Sequence, residues 1–91
     1  MKICPIRLIY PTSRFKQSFK KLTPKIQKLA TEKDEIFRKN AFDPRLRTHK
    51  LKGRLKNYWS YWINEEYRIV FEFVGKDIVL YQDIGTHEIY Q

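Results

Sequence analysis

Residues 58–73 read YWSYWINEEYRIVFEF. Two alternating runs are separated by a polar tetrad. In the first, Tyr58, Ser60 and Trp62 fall on one face and Trp59, Tyr61 and Ile63 on the other. In the second, Tyr67, Ile69, Phe71 and Phe73 share a face, and Arg68, Val70, Glu72 and Val74 share its opposite. A period of two is the mark of a strand, so the stretch predicts two strands joined by a turn at NEEY. The next segment, GKD followed by DIVLYQDI, supplies a second tight turn and a third strand, completing a meander.

Working towards the N-terminus, the period changes. CPIRLIYP is a short β-type run ended by Pro11. Phe15, Phe19 and Leu22 then recur at helical spacing, with Thr12 or Ser13 as the cap. Thr23-Pro24 reads as a second cap with proline at the first helical position. The stripe behind it is Ile26, Leu29, Ala30, Ile36 and Phe37, interrupted by Lys33, and Asn40 is its stop. Between helix and hairpin, DPRLRTHKLKGRLKN shows no period and reads as an extended basic connector. The order β-α-α-β-β-β predicts one α+β domain over residues 1–91. A helical hairpin would pack on one face of a small, mostly antiparallel sheet, leaving the other face for function or a partner.

Composition narrows the classes. At 91 residues with 42% hydrophobic content, the chain is a small packed domain rather than a disordered tail. Its net charge of +9 points first to nucleic acid, then to an acidic protein, then to a membrane surface. The single cysteine, Cys4, forms no internal bridge and fits a reducing, cytoplasmic compartment. No apolar run approaches a membrane span, and MKICPIRLIYP is too short and broken to read as a secretory signal. Neither a metal-binding constellation nor a phosphate-binding glycine loop is present, so no metal or cofactor is expected.

Basic residues gather in two acid-free stretches, 14–28 and 45–56. The first reads equally as a solvated helix face. The second, with Lys50, Lys52, Arg54 and Lys56, leads into an aromatic strand, the pairing that phosphate neutralisation and base stacking require. RNA can be cut without metal where one group accepts the 2′-hydroxyl proton, another protonates the leaving oxygen, and cations hold the phosphorane charge. His49 reads as a solvated loop residue or as a proton-transfer group. Arg68 reads as a partner of Glu72 or as a phosphate clamp. His87, after Gly85, is a packing residue or a second proton-transfer group. Tyr90 is a core plug or a stacking platform, and Glu66 a turn carboxylate or a proton carrier.

At these residues the chain resembles the RelE/ParE superfamily of small bacterial toxins, with the YafQ-like branch nearest. HKLKG resembles an H-x-L-x-G element, YWSYWINEEYRIVFEF an aromatic strand followed by an acidic turn and a Y-R-I-V-[FY] strand, and DIGTHEIY an I-G-T-H close. The resemblance implies a toxin of a type II toxin–antitoxin system. It would enter the ribosomal A site, cleave messenger RNA without metal and be held silent by a cognate antitoxin. The toxin itself would be a cytoplasmic monomer that assembles with that antitoxin. By position, His49, His87, Tyr90 and Arg68 match functional residues of the superfamily. Glu66 stands where the branch has aspartate, Trp62 where it has histidine, and Tyr67 where it has tryptophan. The lost imidazole at 62 implies either that another group fills its role, with Arg68 the candidate, or that activity is lower. Lys50, Lys52, Arg54 and Lys56 would hold RNA, and the products would be a 2′,3′-cyclic or 3′-phosphate and a 5′-hydroxyl. The alternatives are a ParE-like toxin that inhibits DNA gyrase and cuts nothing, and a non-toxic basic binding module.

Overall fold

The computed structural model describes residues 3–90, and of Tyr90 the backbone alone. Its elements are β1 (Leu8–Pro11), α1 (Ser13–Lys20), α2 (Pro24–Lys39), β2 (His49–Lys50), β3 (Trp59–Trp62), β4 (Tyr67–Phe73) and β5 (Ile78–Thr86), with 3₁₀ turns at Pro44–Leu46, Gly53–Leu55 and His87–Tyr90. They form an α+β fold around one five-stranded sheet of order β1-β5-β4-β3-β2. Only β1 runs parallel to its neighbour, β5. The basic connector is not simply extended. It makes two 3₁₀ turns and contributes β2, whose two residues pair His49 with Ser60 and Lys50 with Trp59.

Local chemistry sets both helices. The side chain of Thr12 accepts from the amide of Phe15 to open α1, and that of Thr23 from the amide of Ile26 to open α2, with Pro24 in its first turn. Asn40 ends α2 as its C-cap. Between β3 and β4, the Asn64 carboxamide oxygen accepts from the amides of Glu66 and Tyr67, at 2.9 and 2.7 Å, which closes the turn.

The core lies between α2 and the sheet. Phe37, fully buried, stacks on Tyr61 at 4.7 Å and meets Phe71 edge-on at 4.8 Å. The polar residue in the α2 stripe is Asp34. Tyr81 Oη donates to Asp34 Oδ1 at 2.6 Å, and Arg38 Nε donates to Oδ2 at 2.7 Å. Since Tyr81 spends its proton on Asp34, the 2.8 Å contact between the Tyr61 and Tyr81 hydroxyls has Tyr61 as donor. Burial pushes both phenols well above their ordinary range.

Strict alternation fails once. Val70 pairs with Asp83 and Phe71 with Tyr81, so Gln82 is an extra residue in β5. This bulge lets Tyr81 and Ile84 both reach the core while Gln82 and Asp83 both turn to the opposite face.

Candidate active site

The sheet face opposite α2 carries a groove of about 480 Å³, with α1 at its edge through Arg14. Val70, Gln82 and Asp83 reach it from the strands, Leu55 and Tyr58 from the turn before β3, and Ile89 from the final 3₁₀ turn. Arg14, Lys52 and Arg54 supply its cations. Asp83 is the carboxylate there, and it is held. Its Oδ1 accepts from Ser18 Oγ at 2.7 Å, and its Oδ2 lies 3.2 Å from Arg14 Nε. Gln82 Nε2 donates to Glu72 Oε1 at 3.1 Å, so Glu72 is engaged across the face.

Beside the groove, the register builds two rows. His49, Ser60, Val70 and Asp83 form one, and Trp62, Arg68 and Gly85 the next. His49 is exposed, and its Nδ1 lies 3.0 Å from the carbonyl oxygen of Arg47. A carbonyl only accepts, so Nδ1 carries the proton at this contact. In the neutral ring, Nε2 is then the acceptor. Arg68 is 9% exposed. Its guanidinium carbon sits 3.9 Å from the centre of the Trp62 ring, and Nη1 donates to the carbonyls of Asn64 at 2.6 Å and Tyr67 at 3.2 Å. Arg68 therefore pairs with a ring and two carbonyls rather than with Glu72. The guanidinium of Arg47 lies over the same indole at 4.4 Å.

His87 opens the final turn and is exposed. Glu66, also exposed, and His87 each stand one residue beyond the last rung of the β4–β5 ladder, Tyr67 with Thr86. The fold thus puts Glu66 and His87 at the same end of the β4–β5 ladder, and Arg68 against the Trp62 ring. It does not bring the two imidazoles together, since β2 and β5 are three strand spacings, about 14 Å, apart. The Tyr90 side chain lies outside the described residues.

Gly85 does not give the chain a sharp exit from β5, since its φ is not positive and the strand continues through Thr86. Its role is spatial: a Cβ there would come within 2.7 Å of Ile89 Cγ2. Of the four expected RNA-binding cations, Lys52 and Arg54 line the groove. Lys50 is in register with Trp59, on the opposite face from His49, and Lys56 ends the Gly53–Leu55 turn. Sequence reasoning missed Tyr58, Gln82 and Asp83 as groove residues, and it gave Arg14 and Arg47 no place in the site. The two basic runs held Arg14 and Arg47, and the aromatic strand held Tyr58, but nothing in the sequence pointed to Gln82 or Asp83.

A family model described as a bacterial toxin of type II toxin-antitoxin system, YafQ, matches residues 7–90. A search of curated protein sequences found no match. Among solved structures, the chain is similar to a YoeB–YefM complex from Staphylococcus aureus, with 26% identity, TM-score 0.70, and coverage of 89% of this chain and 98% of that one. It is similar to the RelBE2 toxin–antitoxin complex from Mycobacterium tuberculosis, with 17% identity, TM-score 0.77, and coverage of 94% and 95%. It is also similar to YafQ from E. coli, with 13% identity, TM-score 0.71, and coverage of 90% and 94%. With a match over residues 7–90 and the RelE-like arrangement of helices and sheet in place, the chain belongs to the YafQ family of bacterial type II toxin–antitoxin toxins.

Proposed function

We propose that this toxin is a metal-independent endoribonuclease that cleaves messenger RNA on the ribosome, using the open face of its sheet. The observation that carries the proposal is the Arg47 carbonyl at 3.0 Å from His49 Nδ1, which leaves Nε2 as the proton acceptor of an exposed ring, in register through Ser60 with the groove residues Val70 and Asp83. His49 is then the general base for the 2′-hydroxyl. His87, on the far side of the face, protonates the 5′-oxygen, with Glu66 orienting it. In an in-line displacement the attacking and leaving oxygens are bonded to one phosphorus, so the His49 base and the His87 acid must both reach inward from their strands to a single phosphodiester. Arg68 supplies fixed positive charge where the phosphorane forms, and Lys52 and Arg54 neutralise neighbouring phosphates. Tyr58 offers a ring for a base.

A cognate antitoxin is the second partner. Two similar solved structures are toxin–antitoxin complexes, and a face lined by Arg14, Lys52 and Arg54 suits an acidic segment. No helix among the described residues is long and apolar enough to cross a membrane, and a cytoplasmic site of action is part of the proposal.

The test uses antitoxin-free protein in a translating extract, with the ends of the message mapped. Wild type should produce new 5′-hydroxyl ends. His49→Ala and His87→Ala should each cut at least 100-fold more slowly while keeping the wild-type fold, the usual scale for losing one proton-transfer group. Intact message, together with inhibited gyrase in a supercoiling assay, would overturn the proposal in favour of a gyrase inhibitor.

A further inference from the structure

The chain has seven arginines. Four are matched to carboxylates: Arg7 with Asp77, Arg14 with Asp83, Arg38 with Asp34 and Arg45 with Asp43. Arg47, Arg54 and Arg68 have no such partner among the described residues, and all three belong to the open face. Arg54 lines the groove, while the other two share one indole, Arg47 at 4.4 Å and Arg68 at 3.9 Å from the Trp62 ring.

Two guanidiniums on one ring repel each other, and Arg68 is 9% exposed with no ion-paired carboxylate among the described residues. A buried cation without a counter-charge is unfavourable, and the ring quadrupole offsets only part of that. The backbone adds a second observation. Arg47, at φ 52°, is the only non-glycine residue with positive φ among the described residues. A left-handed arginine is uncommon and concentrates at sites where side-chain placement matters. Here it ends the Pro44–Leu46 turn and lies two residues before His49.

We propose that Arg47 binds an RNA phosphate and that Trp62 is its positioning residue, the indole holding Arg47 and Arg68 together as a two-arginine anion site next to His49. The ligand is a phosphodiester, and the inference rests on reading the open face as an RNA surface. Trp62 is then not a base-stacking platform, because its ring already carries two cations. Arginine suits the position better than lysine, since the planar guanidinium can stack and still present donors at its edge.

Binding of a 2′-O-methyl oligonucleotide, which the toxin cannot cut, separates the parts. Affinity is measured across a salt series. Arg47→Ala should lower the slope of log K against log salt by about 0.7, the value for one phosphate contact on a single strand. Trp62→Leu removes no charge yet should lower it at least as much, since it releases both guanidiniums, and adding Arg47→Ala to it should lower it no further. Arg45→Ala, next to the site but paired with Asp43 at 2.8 Å, should leave the slope unchanged. If Trp62→Leu fails to fold, Arg47→Lys replaces it: charge is kept, the stack is lost, and affinity should fall between wild type and Arg47→Ala. Wild-type behaviour of Arg47→Ala, additive effects of the two changes, or full affinity in Arg47→Lys would overturn the inference while leaving RNA binding intact. Failure of the wild type to bind would overturn both.

Discussion

Gly85 shows how a single missing side chain can set up the site. The final turn folds back so that Ile89 lies against the bare Cα of residue 85, and Ile89 also lines the groove. A methyl at 85 would sit 2.7 Å from Ile89 Cγ2, so either the Ile89 side chain must rotate out of its place in the groove or the turn that begins at His87 must move. Overpacking of this kind costs roughly 1–3 kcal/mol, which leaves most small domains folded. Gly85→Ala is therefore expected to unfold at slightly lower urea but to cut RNA at least tenfold more slowly, because His87 is displaced. Adding Ile89→Ala should recover part of the rate. A folded Gly85→Ala with wild-type cleavage would show that the packing of this turn does not govern His87.

Among the elements, one hydroxyl both caps α1 and ties its start to β5. Thr12 Oγ1 accepts from the amide of Phe15 at 3.1 Å and donates towards the carbonyls of Tyr81 and Gln82, at 3.0 and 3.1 Å. The cap thus also anchors the bulge that turns Gln82 and Asp83 into the groove. Losing a cap and a second hydrogen bond costs about 2 kcal/mol in total, whereas Thr12→Ser keeps both. Urea unfolding of Thr12→Ala should show that loss, and a difference below about 0.5 kcal/mol would contradict the anchoring role. The cap itself was legible in the sequence, as were α2, its proline start and the two-faced hairpin, because each depends on residues within one turn of each other. The two residues of β2 were not legible, being too few to display a period. Lys50 was assigned to the RNA-binding set with His49, though adjacent strand residues point apart and only the pairing with β3 decides which faces where. The bulge at Gln82 hid the parity of β5 in the same way, and the Arg14–Asp83 pair joins residues distant in sequence.

Across the whole molecule, the two faces of the sheet are opposite in character. The helix side is closed around Phe37, with the Tyr61–Tyr81–Asp34 chain of hydrogen bonds in its interior. Both phenols are raised above the unfolded value of about 10, so the folded state keeps protons that the unfolded state releases. Their contribution to stability is complete below that value and is lost as pH climbs above it. Of the six tyrosines, two should therefore ionise only as the fold opens in alkali, read by phenolate absorbance alongside circular dichroism. Ionisation of all six while the fold persists would contradict this. The open side, by contrast, carries the arginines that lack carboxylates, the His49 acceptor nitrogen and the groove. Amide-shift mapping by NMR, with a 2′-O-methyl oligonucleotide titrated into the toxin, tests that division most directly. The account predicts shifts at Arg47, His49, Arg54, Tyr58, Trp62, Arg68, Val70 and Gln82, with the buried face of α2 unmoved. Shifts confined to α2 and the apolar cavity it shares with α1, lined by Phe15, Phe19 and Ala30, would place the RNA on the wrong side of the sheet and contradict it.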